Sequence, residues 1–114
     1  MPYVRVDANV PIDGTTAEKL LAALSAATAR VTGKPERVVQ VAVAGGSRML
    51  MAGSEEPTAH VVVKGIGFPE DQAKGVSGAV CDILAEILAI PGNRVYIAFE
   101  TYKGSMWGVD GGTY

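Results

Sequence analysis

The proline at position 2, directly after Met1, is the residue of this chain with the most unusual chemical potential. A small second residue of this kind permits removal of the initiator methionine. The exposed proline then carries a secondary amine whose lone pair no peptide bond delocalises. An ordinary α-amino group titrates at about 7.7–8.0. An apolar pocket or a neighbouring cation lowers that value and leaves a neutral base at pH 7. Lys34, in the short Gly33-Lys34-Pro35 loop, offers such a cation and also a partner for a substrate carboxylate. Met-Pro starts and loop lysines also occur on plain solvated surfaces, so local chemistry alone leaves both readings open.

Other reactive constellations are missing. Gly45-Gly46 lacks the Lys-Ser/Thr of a phosphate-binding loop, and no G-x-S-x-G marks a nucleophilic serine. With one histidine, His60, and one cysteine, Cys81, a zinc site would need several carboxylates, and the acidic residues are dispersed. No metal and no cofactor is expected. His60 reads as a packed or surface strand residue, and Cys81 as core packing within an apolar helix face. A lone cysteine also forbids an intrachain disulfide, which suits a reducing compartment. A net charge of -2 with scattered Lys and Arg gives no electrostatic case for nucleic acid. No signal peptide or membrane-length apolar run is visible, so the expectation is a soluble, cytoplasmic protein.

The elements that must position Pro2 and Lys34 follow a half-length repeat in a single domain, residues 1–114. The pseudo-repeats are about 1–57 and 58–114. Val4 and Val6 register with Val61 and Val63 at an offset of 57, and Arg37-Val38 with Arg94-Val95 at the same offset. Each half reads strand, helix, strand. In the first helix Thr15 and Glu18 form a T-x-x-E capping box, and Leu20, Leu21, Leu24, Ala27 and Val31 recur at helical spacing. Gly33 and Pro35 end it. The second helix starts at Pro69-Glu70 and carries Val76, Val80, Ile83, Leu84, Ile87 and Leu88 on its apolar side. Gly75 and Gly78 within it mark either a close helix contact or tolerated surface glycines.

Two right-handed β-α-β units predict an α/β fold, a four-stranded mixed sheet with both helices on one face. Strand periodicity gives that face Val4, Val6, Val61, Val63, Val95, Ile97 and Phe99. The opposite face is mixed, with Tyr3, Arg5, Asp7, His60, Val62, Lys64, Arg94, Tyr96, Ala98 and Glu100, and is either solvated or turned towards other subunits.

The chain resembles the macrophage migration inhibitory factor family of the tautomerase superfamily, which includes D-dopachrome tautomerase. The likeness rests on the Met-Pro start, Asn9-Val10-Pro11, Thr32 to Pro35, Ser54 to Pro57, Gly65-Ile66-Gly67, Leu84 to Leu88, Arg94 to Ile97 and the tail from Trp107 to Tyr114. The resemblance implies a homotrimer with active sites at subunit interfaces, no cofactor and a small carboxylate-bearing keto or enol substrate such as phenylpyruvate. It implies extra short strands at Arg48 to Met51 and near Trp107 that pair with neighbouring subunits. By the same resemblance Pro2 is the general base, Lys34 holds the carboxylate or a developing oxyanion, and Ile66 contacts the substrate beside the proline. Tyr96 then forms the aromatic side of the pocket across the interface, and Met106 and Trp107 help to close it.

The chain also departs from the family. Ala98 stands where many members have Asn, which affects substrate orientation. Thr58 to Val61 replace the Cys-x-x-Cys of cytokine members, so no thiol–disulfide activity is expected. Trp107 stands where a small aliphatic residue is common and Val109 where an aromatic is, so the pocket rim is reshaped. The leading expectation is a keto–enol tautomerase. A protein-binding signalling factor with vestigial activity is the alternative. Dehalogenation or hydration of an unsaturated acid is a third reading, needing groups such as Arg5 and Glu100 near the proline.

Overall fold

The computed structural model describes all 114 residues. Strand β1 (Tyr3–Ala8) is followed by helix α1 (Gly14–Thr32) and strand β2 (Gln40–Ala44). The second half repeats the order with β3 (Ala59–Ile66), α2 (Glu70–Leu88) and β4 (Val95–Tyr102), and a short hairpin of β5 (Gly108–Val109) and β6 (Gly112–Thr113) closes the chain. The sheet order is β2-β1-β3-β4. β1 runs parallel to β2, β3 parallel to β4, and the two halves join through antiparallel β1 and β3. This is the predicted duplicated β-α-β sheet. The two helices pack on one another and on the same sheet face.

The core is built from the side chains that the two-residue period places inward. Val4, Val6, Val61 and Val63 are fully buried beneath Leu20, Leu24, Val76, Val80 and Leu84 of the helices. Burying side chains of this size contributes roughly 1.5–3 kcal/mol each before the entropy of ordering is counted. Partly buried Ile97 and Phe99 extend the same layer, whereas Tyr96, Ala98 and Glu100 are exposed on the open face. Gly75 does mark the helix contact, since a Cβ there would lie 3.1 Å from Val31 Cγ1; Gly78 faces open space. Cys81 is half-buried against this core, and burial pushes its thiol pKa up.

Three details correct the sequence reading. The cap of α1 is Asp13, whose Oδ1 accepts from the Thr16 N–H at 2.8 Å, not Thr15 in a box with Glu18. Aspartate caps a helix as well as threonine does, and the helix starts two residues earlier here. The repeat offset of 57 holds for β1 and β3 but is already 56 across the helices, because the connection from strand to helix is one residue shorter in the second half, and it stays 56 through the 3-10 turns Glu36–Val38 and Gly92–Arg94. Arg37-Val38 is therefore not equivalent to Arg94-Val95, and β2 begins only at Gln40. Arg48 to Met51, expected to pair with a neighbouring subunit, forms no strand within the single chain, where Met51 exchanges hydrogen bonds with Ser54 across a tight turn at Ala52 and Gly53.

That turn belongs to a loop held by two distant side chains. Arg94 donates through its guanidinium to the carbonyls of Pro57, Met51, Ser54 and Glu56 at 2.9–3.1 Å. Asn9 donates to the carbonyls of Glu55 and Glu56. Bonds from an ionised donor are the stronger kind, and Asn9 after β1 and Arg94 before β4 hold the loop at one end of the sheet, on either side of Thr58.

Candidate active site

Pro2 sits immediately before β1, buried, with its carbonyl accepting the Gln40 N–H at 3.0 Å. The extension of the β1–β2 pairing by this bond anchors the residue at the head of the sheet. A cavity of about 170 Å³ opens beside it, lined by Met1, Pro2, Thr32, Lys34, Ile66 and Phe68, with Gln72 at the first turn of α2. Three elements converge here: the start of β1, the end of α1 and the β3–α2 loop.

Each wall has a local cause. Gly33 takes a left-handed conformation (φ 70°), which ends α1 and turns Lys34 out of the helix. Buried Thr32 donates from Oγ1 to the Thr28 carbonyl at 2.6 Å, so the last turn presents no free hydroxyl proton to the cavity. In the β3–α2 loop, Gly67 adopts φ 56° and donates its N–H to the Tyr102 carbonyl. The Phe68 N–H donates to Thr101 Oγ1 at 2.8 Å, and its ring packs against Phe99 with centroids 5.4 Å apart. A side chain at Gly65 would press on that ring at 3.1 Å. The Gly-Ile-Gly segment thus seats Ile66 and Phe68 against the cavity.

Electrostatics at the terminus favour a neutral amine. The free amine, here that of Met1, is held below its ordinary value of 8.0, first by burial and then by the neighbouring Lys34 ammonium. Lys34 makes no ion pair within the chain, so its charge is available to an anion. In the chain as described the Pro2 nitrogen is an amide bonded to Met1. Removing Met1 would transfer the amine to Pro2 and vacate the part of the cavity that Met1 lines.

Pro2, Lys34 and Ile66 are thus gathered into one cavity. Tyr96 and Met106 are not. Tyr96, 66% exposed on the open sheet face, borders a separate recess with Met49, Leu50 and His60. Met106, 74% exposed, lines another with Tyr3, Lys64 and Tyr102. Trp107 is intermediate in position: packed edge-on against Tyr102 at 5.7 Å, it also lines a second recess that reaches Met1 and Pro2. Arg5 pairs with Asp7, and Glu100 accepts from the Tyr102 hydroxyl at 2.6 Å. Neither lines the Pro2 cavities of the single chain. Sequence reasoning missed Thr32, Phe68 and Gln72; the Phe68-Pro69 pair ahead of an apolar helix was the available signal.

The family model for macrophage migration inhibitory factor matches residues 1–114. The chain belongs to that family. It is 35% identical to a macrophage migration inhibitory factor homolog of Brugia malayi, over 100% of this chain and 99% of that protein. It is also 35% identical to the D-dopachrome decarboxylase of Bos taurus, over 87% of this chain and 85% of that protein. The fold superposes on the crystal structure of a macrophage migration inhibitory factor homologue from Prochlorococcus marinus with a TM-score of 0.93, at 36% identity and 98% coverage of each chain. The family likeness carried by the motifs therefore extends over the whole chain, together with the two-helix, four-stranded fold. No helix is long and apolar enough to cross a membrane.

Proposed function

We propose that this protein is a cofactor-independent keto–enol tautomerase, with Pro2 as general base once Met1 has been removed. The substrates are small carboxylate-bearing ketones of the phenylpyruvate or dopachrome type. The observation that carries this reading is the burial of Pro2 in a cavity shared with the unpaired Lys34. The Pro2 nitrogen takes a proton from the carbon next to the substrate carbonyl. The electron pair of that C–H bond forms the C=C bond, the carbonyl π pair moves onto oxygen, and the protonated Pro2 amine returns its proton there to give the enol and the free base. Ketonisation runs the same steps in reverse. Lys34 holds the carboxylate, and Ile66 fixes the apolar body beside the base. Low dielectric strengthens the attraction to Lys34 and keeps the amine neutral.

The working form is a homotrimer. Tyr96 and Met106 have nothing to cover them in a single chain, and in such an assembly they complete the pocket of a neighbour, with Trp107 at the rim. The test is turnover of phenylpyruvate and dopachrome, with intact mass reporting whether Met1 is present. A preparation lacking Met1 should be active and one retaining it inactive. Pro2→Gly keeps a primary amine, so a loss of at least about ten-fold is expected, part of the roughly 10²–10⁴ that a positioned base supplies. Lys34→Ala should raise KM. Full activity in Pro2→Gly, or in protein retaining Met1, overturns the proline base.

A further inference from the structure

Pro2 borders two recesses, not one. The second, of about 340 Å³, is lined by Val38, Val39, Trp107, Val109 and Tyr114, and at its edge by Arg37. Together the two fall within the roughly 300–1,000 Å³ of small-molecule clefts. Both contain Met1 and Pro2, so they meet at the terminus. Each has its own cation: Lys34 on the helix side and Arg37 on the hairpin side. Arg37 is exposed in the 3-10 turn after Pro35 and makes no side-chain hydrogen bond or ion pair within the chain, unlike Arg5, Arg48 and Arg94. No Asp or Glu side chain lines the second recess.

We infer that Arg37 is a second anion-binding residue, and that the preferred substrates are keto acids carrying a second carboxylate at the end remote from the keto group. This rests on the tautomerase reading and refines its substrate class. A monocarboxylate held at Lys34 would lay its apolar body along Val38, Val39 and Trp107 and leave the guanidinium facing water. A carboxylate at the far end of that body would meet the planar, always-charged fork of Arg37, which suits bidentate recognition. Val38, Val39, Trp107 and Val109 give the second recess an apolar wall beside Gln40, so the spacer can be an aromatic ring or a short hydrocarbon chain. Arg37 acts on the ligand and not on the base: only Lys34, besides burial, depresses the terminal amine.

The test compares phenylpyruvate with para-carboxyphenylpyruvate in wild type, Arg37→Ala and Arg37→Lys. Wild type should prefer the diacid in kcat/KM. Arg37→Ala should lose about ten-fold or more on the diacid and less than about two-fold on phenylpyruvate, the scale of one charge-assisted bond. Arg37→Lys should recover part of the loss. Equal losses on both substrates, or no diacid preference in wild type, overturn the inference. A binding arm separates its failure from failure of the tautomerase reading. Trp107 is the sole tryptophan and lines the recess, so its fluorescence reports occupancy. Terephthalate should bind more tightly than benzoate in wild type and lose that advantage in Arg37→Ala, even if neither keto acid turns over. Equal affinity for the two in wild type sinks the second anion site whatever the catalysis.

Discussion

Gly33 and Ala89 close the two helices at equivalent positions of the repeat, and both lie in the left-handed region, at φ 70° and φ 55°. Gly33 takes this conformation freely, whereas the Cβ of Ala89 crowds the following carbonyl. The Ala89 N–H nevertheless caps α2, reaching the carbonyls of Ala85 and Leu84. Relief of the crowding by Ala89→Gly is worth about 1–2 kcal/mol, against roughly 0.4–1 kcal/mol for the freer unfolded chain. A net gain of roughly 0.5–1 kcal/mol is expected, measured as a higher urea midpoint at constant slope. A lower midpoint would show that the left-handed cap costs nothing here.

Asn9 joins the two halves beyond the β1–β3 ladder. Its Oδ1 accepts the Thr58 N–H at 2.8 Å, its own N–H donates to the Thr58 carbonyl, and its amide reaches Glu55 and Glu56. In Asn9→Ala the backbone bond survives while the Thr58 N–H loses its acceptor. A loss of about 1–3 kcal/mol is expected from leaving such a group unpaired. Chemical denaturation measures this, and an unchanged midpoint would mean that water replaces the side chain at no cost.

Asp13 makes the stability of α1 depend on pH. The Thr16 N–H holds its carboxyl below the ordinary value of 3.8. A group whose folded pKa is depressed stabilises the fold above its unfolded pKa, and the contribution fades as pH falls through the folded value. Asp13→Ala should therefore be less stable than wild type at pH 7, with the gap narrowing below about pH 4. Thermal melts across pH 2–7 follow the gap; a constant difference would assign the effect to something other than the charged cap.

The base proposed at Pro2 predicts a shifted pH–rate profile. A neutral amine is required, so kcat/KM rises with pH through the amine pKa. Burial and Lys34, which hold the Met1 amine below 8.0, are expected to act in the same way on the Pro2 amine one residue on and to place that rise below the ordinary value. Because burial is the larger cause, Lys34→Ala should move the rise back only part of the way. Arg37→Ala should leave it in place. A rise at or above pH 8 in wild type would exclude a desolvated amine as the base.

Much of this architecture is written in local pattern. The helical recurrence of Leu20 and Leu24, and of Val76, Val80 and Leu84, marks the buried helix faces, because burial follows the period of the backbone. The alternation of Val4 and Val6 with Tyr3, Arg5 and Asp7 marks the two faces of the sheet for the same reason. Gly33 signals a helix end because glycine tolerates the left-handed turn. Other features depended on where the chain travels in space. The connection from strand to helix is one residue shorter in the second half and shifts the repeat, and nothing in the pattern of Arg37-Val38 reveals that. Arg94 looked like a face residue of a strand, yet its guanidinium binds a loop roughly 40 residues earlier. Pro2 could be singled out from the sequence by its amine chemistry and by family motifs. Only the tertiary structure set it between Lys34 and Arg37, because the end of α1, the turn after Pro35, the β3–α2 loop and the terminal hairpin meet at the head of β1. Periodicity reports which side of an element is buried; the meeting of distant loops is decided by how those elements pack.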